Sequence, residues 1–262
     1  MKRFTLALIG AALFVPANAR ADEDLCVNRP GINTPTCTLE RGQVMVEVGL
    51  AGWDHIGDGT SRSDTVSLGD TVFRAGLGRS TEVQIGLPAW VHQRDRTGPA
   101  VQTASGIGDV TIAVRHGFGN EGDAPFALQA FVTLPTGRSA IGAGDWGAGL
   151  IAPLALDLPS DFQLAFSPEV DAAVNASGSG RHLAWGGAVG LSHPLTSKLS
   201  FTAEVAAYRD EDPAGHSTDA RVAGSLAWRA GKSLQIDLEV DKGIASGAPE
   251  RSIMLGIARQ FR

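Results

Sequence analysis

From residue 42 to its C-terminus the chain alternates apolar and polar positions with a period of two, segment after segment. Val44, Val46, Val48 and Leu50 are interleaved with Gln43, Met45 and Glu47. Val83, Ile85, Leu87, Ala89 and Val91 alternate with Glu82, Gln84 and Gly86, and Leu234, Ile236, Leu238 and Val240 with Gln235, Asp237, Glu239 and Asp241. Successive side chains of a strand point to opposite faces, so this pattern marks β-strands with one apolar face. It predicts twelve strands, over residues 42–53, 63–77, 81–91, 106–118, 124–135, 145–157, 161–175, 181–195, 199–209, 217–229, 233–242 and 251–261. Each has, or slightly exceeds, the roughly 9–11 residues with which a tilted strand crosses a bilayer. No stretch carries a 3.6-residue period, and residues 42–262 show no domain boundary.

The connections repeat in phase with the strands. After even-numbered strands they are short, as at Gly78-Arg79-Ser80, Thr196-Ser197-Lys198 and Ala230-Gly231-Lys232. After odd-numbered strands they are longer and rich in Gly, Asp and Ser, over 92–105, 136–144, 210–216 and 243–250. Short turns on one rim and long loops on the other are the habit of outer-membrane barrels, with the short turns periplasmic. Aromatic residues sort the same way. Phe73, Phe118, Phe126, Phe162, Phe201, Trp228 and Phe261 fall at short-turn ends, and Trp53, Trp90, Trp146, Trp185 and Tyr208 at long-loop ends. Two girdles a strand length apart are what two membrane interfaces select. The fold class expected is all-β, a transmembrane antiparallel up-and-down β-barrel of about 12 strands with both termini periplasmic.

In such a barrel the apolar face meets lipid and the polar alternates line the lumen. Those alternates are Glu47, Arg74, Glu82, Asp109, Arg115, Glu169, Asp171, Glu204, Asp219, Arg221, Arg229, Asp237 and Glu239, with Gln84, Gln129, Gln163 and Gln235. The acids outnumber the arginines, which favours neutral or cationic solutes over anions along a transport path. Pairs such as Glu82 with Arg74 could instead brace the wall. Twelve strands fall between the filled interior of eight and the open channel of 16–18.

Ahead of the first strand, Met1-Lys2-Arg3, an apolar run from Phe4 to Val15 and small residues up to Ala21 read as a cleaved signal peptide over residues 1–21. Its removal takes away Lys2, Arg3 and Arg20 and leaves all 28 acidic residues, against 22 basic ones in the whole chain. The protein is therefore exported and acidic, which argues against a nucleic-acid partner. The only two cysteines, Cys26 and Cys37, are expected to form a disulfide in that compartment; a redox or metal pair would need closer spacing or added His ligands. Residues 22–41 are expected to be either a disulfide-closed periplasmic tail or a plug folded into the lumen, and the sequence leaves both open. The 33 glycines are far above ordinary usage but follow no collagen period, and no apolar run after the leader is long enough for a membrane helix.

Several short motifs carry a resemblance. Arg29-Pro30-Gly31 precedes Gly42, Glu47 and Gly49; Arg74-x-Gly76-Leu77 precedes Glu82; Gly106-x-Gly108-Asp109 opens one strand and Leu134-Pro135-Thr136-Gly137 closes another. Together they resemble the outer-membrane transporter family linked to the meta-pathway of phenol degradation. The resemblance implies a Gram-negative outer-membrane channel for small organic solutes, aromatic ones among them, with no catalytic residues, metal or cofactor. Outer-membrane lipid is the other expected partner, together with the barrel-assembly machinery, which would read the last strand through its aromatic Phe261; here Arg262 follows it.

Two other readings stay open. One is a lipid-active barrel enzyme of the outer-membrane phospholipase kind, which needs a Ser and a His together on the lipid face. Only His116 and His193 fall there, with no evident Ser partner. The other is a sealed structural barrel. None of the six histidines stands at metal-ligand spacing from another His or Cys, and Gly76-x-Gly78 and Gly106-x-Gly108 lack the helix that a dinucleotide fingerprint must open.

Overall fold

The computed structural model describes residues 25–57, 60–120, 123–138 and 140–262. The leader expected over residues 1–21 lies outside the described residues. The wall begins with β1 (Val44–Gly57), β2 (Ser61–Leu68), β3 (Asp70–Gly76) and β4 (Thr81–Leu87). It continues through β5 (Trp90–Thr97), β6 (Ala100–Ile107), β7 (Val110–Asn120) and β8 (Asp123–Leu134). Next come β9 (Gly147–Ile151), β10 (Leu154–Leu158), β11 (Phe162–Val174) and β12 (Arg181–Pro194). β13 (Leu199–Asp210), β14 (Ser217–Arg229), β15 (Leu234–Gly243) and β16 (Arg251–Phe261) complete it. β16 returns to pair with β1 from Val44↔Phe261 to His55↔Arg251, and that pairing closes the sheet. Four wall strands are each broken into two segments, so the sixteen segments make a closed twelve-stranded antiparallel barrel.

The breaks have local causes. Gly69, with φ +77°, separates β2 from β3, and Pro88 and Pro153, which offer no N–H to the ladder, fall between β4 and β5 and between β9 and β10. Gly108 and Asp109 separate β6 from β7. Three of these breaks lie side by side. Gly69 N–H donates to Gly49 O at 2.9 Å beside a register shift in β1, and a Cβ on Gly108 would lie 3.1 Å from Pro88.

Two sequence expectations change here. Residues 92–105, expected to be a loop, are most of β5 and β6, paired from Trp90↔Ile107 to Thr97↔Ala100 around a turn at Gly98. Polar residues fill both faces of this ribbon, which hides the apolar period by which strands are read. Tyr208, expected in the long-loop girdle, shares parity on β13 with the covered Glu204 and Ala206, so it faces inward.

The burial pattern is that of a barrel turned inside out. On β15, Gln235, Asp237, Glu239 and Asp241 are buried while Leu238 and Val240 are exposed. Phe73, Phe118, Phe201 and Trp228 on one rim and Trp90, Trp146 and Trp185 on the other are exposed large side chains. A continuous apolar outer surface of this extent needs a lipid environment. The apolar core is small and lies within: Cys26, Leu39 and Met45, with Leu25, Val27 and Cys37 packed against them.

Candidate functional site: the barrel lumen

Residues 25–41 precede β1 and make hydrogen bonds to strands on every side of the ring, which a segment reaches only from within the lumen. Cys26 and Cys37 are disulfide-bonded, with Cα atoms 5.8 Å apart, and close the ends of this segment into a loop. Arg74 of β3 is the hub on one side. Its guanidinium meets Glu82 Oε2 at 2.9 Å and Glu47 Oε1 at 2.8 Å, and donates to Cys26 O at 2.5 Å. Glu47 in turn accepts Asn28 N–H at 3.0 Å, and Glu82 accepts Leu39 N–H at 2.8 Å. Arg115 of β7 donates to Asn28 Oδ1 at 2.8 Å and to Cys37 O at 3.2 Å, while Gln129 holds its Nε at 2.9 Å.

Across the ring the same segment meets β11, β13 and β15. Arg29 Nε donates to Asp237 Oδ1 at 3.1 Å, and Gln235 Nε2 donates to Arg29 O at 2.7 Å. Gly31 N–H donates to Glu239 Oε2 at 2.7 Å. Glu204 accepts three bonds from two residues: Ile32 N–H and Asn33 N–H, each at 2.9 Å, and Asn33 Nδ2 at 2.8 Å. Thr34 and Ser167 exchange two bonds, N–H to Oγ at 3.0 Å and Oγ–H to carbonyl at 3.1 Å. Buried charge survives where several donors surround it, and here Glu47, Glu82, Glu204, Asp237 and Glu239 are answered by arginines and backbone N–H groups. Two wall glycines give the segment room. A Cβ on Gly76 would fall 1.9 Å from the Glu40 carbonyl oxygen, and one on Gly256 would fall 2.1 Å from Arg29 Nε.

Seven of the charged residues expected along the lumen therefore meet the segment, Glu47, Arg74, Glu82, Arg115, Glu204, Asp237 and Glu239, as do Gln84 and Gln235. Asp109, Glu169, Asp171 and Arg221 are placed elsewhere. Asp109, at the break between β6 and β7, accepts Gly137 N–H and Ala143 N–H at 2.7 Å and ties down the loop after β8. Arg221 joins Asp219 and lies 3.7 Å from Asp241, nearer the long-loop rim. Glu169 and Asp171 sit on β11, and Glu169 lines a cavity of about 340 Å³ together with Val72, Gln84, Gln129, Phe131 and Ile151. A second space, of about 560 Å³, lies against the other face of the segment, between Thr34–Thr38 and Ala155, Gln163, Arg229 and Gln260.

Asn28, Arg29, Asn33 and Ser167 make lumen contacts that period-two reading does not single out. Arg29 stands in the Arg-Pro-Gly motif and Ser167 on the polar face of β11, but neither pattern names a partner 133 or 208 residues away. On the outer surface, His116 Nδ1 lies 2.8 Å from Thr81 Oγ1 and His193 stacks on Phe162.

The closed ring, its exposed apolar band and its polar interior define the outer-membrane β-barrel class. Residues 27–262 match the family described as "Putative MetA-pathway of phenol degradation", and the chain belongs to that family. Among solved structures, the barrel is similar to an outer membrane channel from Pseudomonas putida F1, with TM-score 0.68 and 13% identity over 89% of this chain and 99% of that one. It also resembles the beta domain of the Bordetella autotransporter BrkA, with TM-score 0.58 and 12% identity over 85% of this chain and 100% of that one. At such identities the likeness is one of fold. No curated protein sequence matches the chain.

Proposed function

We propose that the protein is an outer-membrane channel for small organic solutes, aromatic ones among them, and that residues 25–41 are the plug that meters passage through it. The 340 Å³ cavity beside the plug carries this reading. It lies within the size range of small-molecule sites and joins apolar Phe131, Ile151 and Val72 to Gln84, Gln129 and Glu169. Such a lining accommodates an aromatic ring and a polar substituent together. The carboxylates disfavour anions, Asp109, Glu169 and Asp171 beside the plug and Glu47, Glu82, Glu204, Asp237 and Glu239 once the plug moves aside, so the transport path passes neutral and cationic solutes more readily. Arg74, Arg115 and Arg221 serve as braces and plug anchors rather than as an anion path.

Liposome swelling with refolded mature protein tests the proposal, using tyramine and 4-hydroxybenzoate as size-matched cation and anion. Faster swelling with the amine is the expected result. Absence of swelling with every solute, for folded protein both with and without residues 25–41, would overturn the channel reading.

A further inference from the structure

Away from the lumen, three metal-ligating side chains converge at the long-loop rim. His182 lies at the start of β12, Asp210 ends β13, and Asp212 follows in the loop 211–216. The register pairs Ala184 with Asp210, and Glu211 N–H donates to Leu183 O at 3.1 Å, so the loop folds back beside the imidazole. One ligand atom from each of the three residues lies within 4.8 Å of the others.

The hydrogen bonds around His182 place a proton on Nδ1. Asn175 Nδ2 donates to Ser179 O at 3.0 Å, which turns Asn175 Oδ1 toward the ring. His182 Nδ1 lies 3.0 Å from that oxygen and must supply the proton. In the neutral ring Nε2 then carries the lone pair, and in the imidazolium it carries a second proton. The side chain is 5% exposed, and Nε2 has no hydrogen-bond partner, yet it lies 3.0 Å from Asp210 Oδ1. The Asp210 side chain is 41% exposed, and a lone pair and a carboxylate oxygen at that distance still repel unless a proton or a metal ion stands between them. Asp212 brings a second carboxylate, its Oδ2 3.5 Å from Nδ1. The N–H of a metal-bound histidine characteristically goes to a carbonyl or carboxylate oxygen, which is the part Asn175 takes here.

We propose that His182 Nε2, Asp210 and Asp212 bind a divalent metal of the zinc kind, with water completing its coordination. One imidazole and two carboxylates suit zinc and its first-row neighbours, whereas calcium and magnesium take oxygen ligands. A nitrogen–oxygen separation of 3.0 Å fits two ligands each about 2.0–2.2 Å from a shared ion. Asp212 Oδ2 also accepts Ala176 N–H at 2.6 Å, so the ion would fasten the loop 211–216 to the loop 175–180. The sequence hides this site because only the register of β12 on β13 brings His182 to Asp210 and Asp212.

Calorimetric titration of untagged, refolded mature protein with Zn²⁺ and, separately, Mg²⁺ tests the proposal. One equivalent of Zn²⁺ should bind, with no saturable binding of Mg²⁺. His182→Ala and Asp210→Asn should each weaken Zn²⁺ binding at least about tenfold. His216→Asn removes the exposed histidine that pairs with Glu211 at 2.7 Å, and should leave binding unchanged. Heat-modifiable gel mobility confirms that each variant is folded, and ¹⁵N shifts of the His182 ring in wild-type protein report Zn²⁺ at Nε2 independently. No saturable Zn²⁺ binding, with the ring found as an imidazolium, would overturn the proposal, as would full retention of binding in His182→Ala.

Discussion

Arg29 Nε lies 3.1 Å from Asp237 Oδ1 and joins the segment ahead of the first strand to the inner face of the strand before last. The Asp237 side chain is fully covered, so its charge depends on this partner. Asp237→Asn should remove a charge-assisted bond worth about 1.5–3 kcal/mol. The expected result is faster amide exchange at residues 28–33 with the wall strands unchanged. Unchanged protection there would show that the pair does not hold the segment.

The disulfide between Cys26 and Cys37 constrains the same segment from its two ends. A loop of this length is worth roughly 3 kcal/mol in the chain-entropy account. Cys26→Ser with Cys37→Ser should leave heat-modifiable mobility intact while raising single-channel open time and protease cleavage within residues 25–41. Cleavage no faster than in wild type would contradict the assigned role.

Glu82 and Glu169 are both expected acids of the path, but their surroundings differ. Glu82 is bonded to Arg74 and Leu39 N–H, whereas Glu169 lines the cavity. In planar bilayers Glu169→Gln should lower cation preference directly. Glu82→Gln should instead destabilise the segment, raising conductance more than it alters selectivity. Equal selectivity changes from both would place them in one environment, against the geometry.

At the long-loop rim, Asp145 accepts Trp146 N–H at 2.8 Å and Gly180 N–H at 3.4 Å, and meets Arg181 Nη2 at 2.7 Å. The Trp146 N–H above all, then Gly180 N–H and the Arg181 charge, hold this carboxyl below its ordinary value of 3.8. A depressed folded value means that its contribution is complete above the ordinary value and is lost as pH falls through the lowered one. The amide resonances of Trp146 and Gly180 should therefore titrate with a midpoint below 3.8. A midpoint at or above that value would show the contacts to be absent in solution.

The wall was legible because lipid enforces a strict period of two. Leu238 and Val240 must face outward, so Asp237 and Glu239, which alternate with them, must face inward, and the same alternation along the other strands specifies the barrel. The ribbon of β5 and β6 was hidden because residues such as Gln93, Arg94, Asp95 and Arg96 place polar groups on both faces. Tyr208 reads as a girdle residue from its place near the strand end, and only its parity with Glu204 turns it inward. The lumen was legible as a set of acids but not as a site. Glu204 is answered by the backbone of Ile32 and Asn33, and backbone donors leave no mark in a sequence. His182 and Asp210 show the same limit, since only the register of β12 on β13 brings them together.

In the proposed function, residues 25–41 plug a channel whose wall stands without them. Its most direct test is single-channel conductance in planar bilayers of refolded protein lacking residues 25–41, beside the intact chain. The expected result is a stable, folded barrel whose conductance rises several-fold and whose cation preference grows, because Glu47, Glu82, Glu204, Asp237 and Glu239 then face water. A folded, truncated barrel with the conductance of the intact protein would contradict it.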